Sequence, residues 1–357
     1  MEQTRKLASI RLVKEIKPIK EADAIELAVV DGWQVVTKKG EFKPGDICVY
    51  FEIDSFLPPR EEFEFLRKTS FKKMGDAEGF RLRTIRLRGE LSQGLLMPLN
   101  VLPVSGNVYL GMDVTEILGV VKYEPPIPAE LAGEAKGYFP SFLRRTDEER
   151  VQNLSAEYEE WKFTGKHQFY ATEKLDGSSA TFYVKNGEFG VCSRNLELAD
   201  PGEFVPGMEL CDDGIERPKR ENTFWKVARE MGIKKKLLAT GRNLCIQGEL
   251  IGEGIQKNPY RIKGHTVLFY NAFDIDKRER LNLRDFISLM KDLEFETVPI
   301  LGLEFLLPDT IEELLREAEG KSILNPNTER EGMVIRSMDT AISFKVISNK
   351  FLLGSES

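Results

Sequence analysis

Five short segments in the C-terminal two-thirds of the chain hold residue types that suit one reaction: Glu173-Lys-Leu-Asp-Gly177, Ser193-Arg-Asn195, Gly248-Glu-Leu-Ile-Gly252, Glu331-Gly-Met-Val-Ile335 and Ser343-Phe-Lys345. Lys174 ends an apolar strand, and Gly177 permits a tight bend just after it, so the amine can project into a cleft. An amine attacks phosphorus only when unprotonated. Burial and neighbouring cations must therefore bring it down from the usual ~10.4. Asp176, Glu249 and Glu331 each adjoin a glycine and make an acidic cluster suited to a hydrated divalent metal. In Ala341-Ile-Ser-Phe-Lys-Val346 the apolar side chains alternate, so Ser343 and Lys345 share the face away from the core, where Lys345 would neutralise an α-phosphate. Arg194 can grip a terminal phosphate with its guanidinium fork. In Leu268-Phe-Tyr-Asn-Ala-Phe-Asp-Ile275, Phe269, Asn271 and Phe273 share one strand face, and Phe273 is the first choice to stack on a purine. A lysine nucleophile, carboxylates for a metal and cations for phosphates are the needs of covalent nucleotidyl transfer.

The bulk composition narrows the alternatives. A chain of 357 residues is expected to form two domains. With 41% apolar residues and a mean hydropathy of -0.31 it reads as soluble, and no run approaches the ~18 apolar residues of a membrane span. Met1-Glu-Gln-Thr-Arg-Lys6 lacks the apolar heart of a signal peptide, so a cytoplasmic (or nuclear) setting is expected. Cys48, Cys192, Cys211 and Cys245 have no close pairing and read as reduced thiols. Only His167 and His265 are present, which disfavours histidine ligands and points to oxygen-bound Mg2+ or Mn2+. The net charge of -7 does not advertise a nucleic-acid binder, but Arg81, Arg83, Arg86 and Arg88 fall within eight residues and Lys234-Lys-Lys236 forms a second cluster.

Residues 1–118 read as short strands separated by Asp31-Gly32, Lys39-Gly40 and Pro44-Gly-Asp46, which predicts an OB-like β-barrel. That module holds 18 basic and 18 acidic residues, and Arg81 to Arg88 is expected as one of its strands. Residues 119–140, with Pro125-Pro126, Pro128 and Pro140, read as a linker, leaving 141–357 as the second domain. Thr146 or Asp147 is expected to cap a helix entering the acidic stretch that follows. Beyond residue 165 strands and helices mix: a hairpin turns at Asn186-Gly187, and a helix carries Phe224, Val227, Ala228 and Met231 and stops at Gly232. The polar segment from Ala199 to Arg220 is expected to be a functional or disordered loop.

Taken together, these motifs resemble the covalent nucleotidyltransferase superfamily of ATP-dependent polynucleotide ligases and mRNA capping enzymes. Gly248-Glu-Leu-Ile-Gly252, Gly254-Ile-Gln-Lys-Asn-Pro259, Phe344-Lys-Val-Ile-Ser-Asn-Lys-Phe351 and Thr146-Asp-Glu-Glu-Arg-Val-Gln-Asn153 look most like nick-sealing RNA ligases. Lys43-Pro-Gly-Asp-Ile-Cys-Val-Tyr-Phe-Glu-Ile-Asp-Ser-Phe-Leu-Pro58 resembles the N-terminal OB domain of the fifth RNA ligase family. The resemblance implies an α+β chain: an OB-like barrel followed by an ATP-grasp-like adenylylation domain of antiparallel sheets with flanking helices. It implies that Lys174 is adenylylated by ATP, with Lys345 at the α-phosphate and Asp176, Glu249 and Glu331 around the metal. Glu173, Arg194, Phe273 and Arg150 join the nucleotide-binding set. Ile347 stands where nick-sealing ligases often carry a second lysine, and Lys350 is the candidate replacement. Only seven residues follow Lys350, too few for the C-terminal OB domain of DNA ligases and capping enzymes. The expected activity is joining of RNA 5′-phosphate and 3′-hydroxyl ends, in a nicked duplex or otherwise, by a monomer acting in RNA repair, with the four arginines from Arg81 to Arg88 on RNA phosphates. A capping-type guanylyltransferase and a noncatalytic RNA-binding protein on an inactive transferase fold are the alternatives.

Overall fold

The computed structural model describes residues 5–103, 107–125, 134–145, 147–202, 208–210, 216–218, 221–338 and 341–354. Thr146, Cys211, Pro126, Pro128 and much of the segment between Ala199 and Arg220 lie outside the described residues.

The N-terminal module curls short antiparallel strands around two apolar cores. Ile47–Phe51 is its hub, paired with Ala8–Leu12 on one side and Leu95–Pro98 on the other. Glu15–Pro18, Ile25–Val30 and Trp33–Lys38 form a meander in which Trp33, Val35 and Thr37 alternate inward. One core gathers Ile10, Val49, Phe51, Leu57, Phe63 and Phe80; the other gathers Trp33, Val35, Cys48, Tyr50 and Leu96. Each such fully buried large side chain contributes about 1.5–3 kcal/mol. The single strand expected from Arg81 to Arg88 is two, Ala77–Arg81 and Thr84–Leu87. Between them Leu82 is buried, its N–H donating to the Ser55 carbonyl, so the chain changes sheets there.

The C-terminal module is built on two sheets. The larger has seven antiparallel strands in the order Ala135–Tyr138, Leu196–Leu198, Glu188–Cys192, Ser178–Lys185, Leu244–Gly252, His265–Asp274 and Glu279–Arg280. Helices Thr223–Glu230, Ile233–Ala239 and Leu283–Asp292 cover one of its faces, burying Phe182, Ile246 and Phe269. Its other face presents Ser179, Thr181, Gln247 and Glu249. The smaller sheet runs Glu149–Arg150, Ser343–Ile347, Gly332–Ser337, Phe169–Lys174 and Ile300–Phe305. Helices Ser155–Thr164 and Ile311–Glu317 cover the face bearing Phe169, Ala171, Ile335 and Phe344. Alternation leaves Thr172, Lys174, Arg336 and Lys345 on the opposite face. Among the described residues no helix is long and apolar enough to cross a membrane.

Two local expectations change. Asp147 caps no helix: Glu149–Arg150 lies parallel to Phe344–Lys345 instead, because pairing with that strand satisfies its backbone, and the helix begins only at Ser155. The segment read as a linker carries two strands, Val121–Lys122 paired with Ser55–Leu57 of the first module and Ala135–Tyr138 at the edge of the larger sheet.

The modules are joined by specific contacts. The Trp33 indole N–H donates to Asn153 Oδ1 at 3.2 Å, and Arg11 donates to Ser155 Oγ at 3.3 Å. The Arg5 guanidinium lies 2.8 Å from Glu52 and 3.8 Å from Glu149.

Candidate active site

Strand register assembles the reactive group. Lys174, the last residue of its strand, pairs with Gly332, which sets its amine beside Glu331; Nζ lies 2.7 Å from Glu331 Oε1. On the facing sheet Ser179 pairs with Glu249, bringing that carboxylate toward the turn that carries Asp176 and Gly177. Gly177 is required by close approach: a Cβ there would meet the Leu250 carbonyl oxygen at 2.5 Å and Glu249 Cγ at 2.8 Å. The Asp176 N–H donates to the Tyr260 hydroxyl at 2.6 Å, which fixes the turn.

The charges in this cleft shift one another. Burial pushes Glu249 up to about 8, helped by Glu331 and Asp176, and pushes Asp176 up to about 6. Burial disfavours the Lys174 ammonium, but Glu331, Glu249 and Asp176 outweigh it, so its pKa rises above the ordinary lysine value. This corrects the expected direction: without nucleotide, the amine is held protonated by its acidic neighbours. Lys345 shifts the other way. Burial lowers it to about 8, and Arg150, Lys174 and Arg5 add to the effect against the opposing Asp147.

Asp147 organises the cation side. It lies 2.8 Å from Lys122, 3.0 Å from Arg194 and 3.5 Å from Lys345. Although burial opposes ionisation, those cations hold its carboxyl well below the usual range. Arg150, opposite Lys345 in the strand register, lies over the Trp33 ring at 5.4 Å.

Three of the expected nucleotide ligands sit elsewhere. Phe273 keeps the face of Cys245 and Gln247 but is packed among Phe139, Leu143, Tyr183 and Cys245 in an apolar cluster; a β-bulge opposite Gln247 and Gly248 makes Tyr270 the extra residue and turns Phe269 to the helix-covered face. The bulge turns the Tyr270 ring toward the cleft, where Arg336 lies over it at 5.5 Å and Ser179 Oγ is 3.3 Å from its hydroxyl. Glu173 falls on the helix-covered face, and its carboxylate accepts the Ile323 N–H at 2.9 Å, tying down a loop. Lys350 pairs with Glu329 at 3.2 Å and is mostly exposed, whereas Arg150, Lys174 and Arg5 are the cations whose fields reach Lys345. Of the arginine strip, Arg83, Arg86 and Arg88 are exposed, Arg86 donating to the Leu353 carbonyl, whereas Arg81 pairs with Asp54 and stacks on Tyr123. Sequence reasoning missed Asp147 as a pocket residue, Tyr260, Tyr270, Arg336 and Arg5. Asp147 alone had a signal, its place in the flagged segment from Thr146 to Asn153.

The donor set fits a hydrated divalent cation and a polyanion. One Glu331 oxygen, one Arg150 nitrogen and the Ser343 hydroxyl are buried with no protein partner. Among the described residues no three carboxylate, histidine or thiolate ligands are grouped tightly enough to chelate a metal directly, which suits an ion held largely through its own waters.

A curled small barrel docked on a two-sheet cleft with a lysine among carboxylates is the plan of a nucleotidyl-transfer enzyme with a nucleic-acid module. Residues 7–99 match an OB-fold domain model, and residues 167–350 match the RNA ligase model. A ligand-free mutant of Naegleria gruberi RNA ligase is similar with a TM-score of 0.81 at 43% identity, covering 99% of this chain and 98% of that one. The same ligase with PPi gives 0.80 at 43% identity, with 99% of both chains covered. A mutant with ATP and Mn gives 0.78 at 43% identity, covering 99% and 98%. No curated protein matches the chain. The chain belongs to the RNA ligase family and is an α+β enzyme of that class.

Proposed function

We propose that this RNA ligase seals 5′-phosphate and 3′-hydroxyl RNA ends through a lysyl-AMP intermediate on Lys174, in RNA repair. The observation that carries the reading is the Lys174 amine, 2.7 Å from Glu331 and within the field of Glu249 and Asp176 at one cleft. ATP is the co-substrate; the related Naegleria gruberi ligase is known with ATP and Mn.

In the first step Lys174 Nζ forms a bond to the α-phosphorus of ATP and the bond to the departing pyrophosphate breaks. Lys345, charged below about pH 8, faces the phosphates from the neighbouring strand, and Arg150 offers its unpartnered nitrogen to them. Arg194, anchored by Asp147, stands at the rim with its guanidinium largely exposed. Tyr270, held by Arg336, offers the aromatic face for the purine. Before attack the Lys174 proton must leave, and Glu331 Oε1 is the acceptor in contact with it. Asp176, Glu249 and Glu331 would hold Mg2+ or Mn2+, which when bound supplies positive charge to the phosphates and cancels the acidic field that keeps Lys174 protonated. In the second step AMP passes to the RNA 5′-phosphate, freeing the Lys174 amine. In the third the 3′-hydroxyl oxygen attacks that phosphorus and AMP departs. Each step rests on in-line geometry and charge neutralisation, for which no histidine is needed.

Arg83, Arg86 and Arg88 on the barrel's exposed hairpin suit RNA phosphates, and a nicked duplex is the favoured substrate, bound by a monomer. Buried free thiols at Cys48, Cys192 and Cys245 suit a reducing cytoplasm. The test is incubation with α-labelled ATP and Mn2+, followed by a chase with nicked RNA duplex. Label is expected on the protein and then lost as joined RNA appears. A protein that takes up label from GTP alone, or from neither nucleotide, overturns the reading.

A further inference from the structure

We propose that Tyr260 and Asn325 are positioning residues: with loop 253–264 they close a ring of contacts around Lys174 that holds the amine and the Asp176 carboxylate in a fixed relation. The inference rests on the lysyl-AMP reading and adds what keeps the nucleophile's turn in place.

The ring is made of hydrogen bonds. On one flank of Lys174 the Asp176 N–H donates to the Tyr260 hydroxyl at 2.6 Å, and Gln256 Nε2 donates to the Gly177 carbonyl at 3.4 Å. On the other flank the Glu173 carboxylate accepts the Ile323 N–H at 2.9 Å. The two flanks are tied to each other. The Pro259 carbonyl, beside Tyr260, accepts from Asn325 Nδ2 at 2.8 Å and from Thr328 Oγ1 at 3.0 Å. Asn325 is buried, and its Oδ1 accepts the Asn327 N–H at 3.1 Å, so its amide is fixed at both ends.

Loop 253–264 is held in a backbone that it would not adopt alone. Gln256, Lys257 and Asn258 are three successive non-glycine residues in the left-handed region, with φ of 44°, 61° and 49°, and Arg261 is a fourth at 54°. Such conformations persist only where the surroundings over-determine them, and they gather at functional sites. Here the Asn258 side chain brackets Ile262, donating to its carbonyl at 2.8 Å and accepting its N–H at 3.0 Å. Tyr260 shares a buried apolar cluster with Leu175, Ile251, Leu268 and Val298. It therefore grips the turn twice, through the cluster that holds Leu175 and through its hydroxyl on Asp176. The grip has a purpose. Asp176, Glu249 and Glu331 carry like charge in one cleft, and an unheld turn would let Asp176 drift from its neighbours.

The test compares the full chain with Tyr260→Phe, which keeps the ring in its cluster and removes only the oxygen that the Asp176 N–H uses. Mn2+ binding to the ATP-free chain, followed by the EPR signal of the free ion, is expected to weaken three- to tenfold, about the worth of one hydrogen bond. The kcat for AMP loading should fall by a similar factor while the KM for ATP stays the same, a split that general loosening of the fold would not give. Asn325→Ala alters neither Asp176 nor Lys174, yet should weaken Mn2+ binding in the same direction. Because both residues act through one ring, the double variant should lose little more than Tyr260→Phe alone. Unchanged Mn2+ affinity in Tyr260→Phe, or losses that multiply in the double variant, would overturn the proposal. If Tyr260→Phe folds poorly, an unchanged Mn2+ affinity in Asn325→Ala overturns it equally. If the unaltered chain takes up no AMP from ATP, the lysyl-AMP reading itself falls, which separates the two failures.

Discussion

At the scale of single residues the account turns on how acidic neighbours treat one amine. Lys174→Ala should take up no label from ATP, since no other described side chain occupies its place between Glu331 and Glu249; retained labelling would reassign the nucleophile. Proton linkage gives a second prediction. Glu249 titrates at about 8 and Asp176 at about 6, so a metal bound there must displace protons. The metal concentration for half-maximal AMP loading should rise as pH falls through that interval, and a flat requirement would remove these carboxylates from the metal site. Stability runs the opposite way with pH. The folded Glu249 carboxyl sits above the unfolded value of ~4.3, so its contribution is present below that pH and lost as pH rises through about 8. Glu249→Gln should therefore raise the Tm of the metal-free protein at alkaline pH but not near pH 4, while AMP loading is lost. Scanning calorimetry at the two pH values checks it.

At the scale of elements, what the sequence disclosed depended on whether neighbours along the chain or across it set the geometry. Lys174 could be read because it ends an apolar strand, and Asp176, Glu249 and Glu331 because each adjoins a glycine; register then brought them together. The face read for Phe269, Asn271 and Phe273 broke at a β-bulge, which no two-residue alternation announces; one extra residue sent Phe269 to the helix-covered side and brought Tyr270 toward the cleft. Asp147 looked like a helix cap because its sequence neighbours are acidic, yet the cations that claim it come from Lys122, Arg194 and Lys345, far away in sequence. The Trp33 turn is equally non-local. It places an indole beneath Arg150, while a Cβ on Gly32 (φ +81°) would come 2.9 Å from Ile311. Trp33→Leu should raise the KM for ATP about 2- to 30-fold, the range of one cation–π contact, through loss of Arg150 placement. Trp33→Phe should recover most of that loss, and no change in either variant would detach the barrel from the nucleotide site.

At the scale of the whole molecule, an acidic chain of net charge -7 must bind a polyanion through local patches. The barrel offers Arg83 and Arg88 on its exposed hairpin, while the second module offers the cleft cations. Replacing both arginines by serine should lower the log–log salt slope of RNA binding by about 2 if each holds one phosphate, with AMP loading unaffected. An unchanged slope would place the duplex elsewhere. The two modules share a seam at Arg5, Arg11, Trp33, Asn153 and Ser155, so the barrel is part of the catalytic body.

The most direct test is peptide mapping by mass spectrometry after incubation with ATP and Mn2+. One AMP is expected on the peptide containing Lys174, labile to acid as a phosphoramidate and discharged when 5′-phosphorylated nicked RNA is added. An adduct on another residue, or a Lys174 peptide that stays unmodified while RNA is joined, would contradict the account.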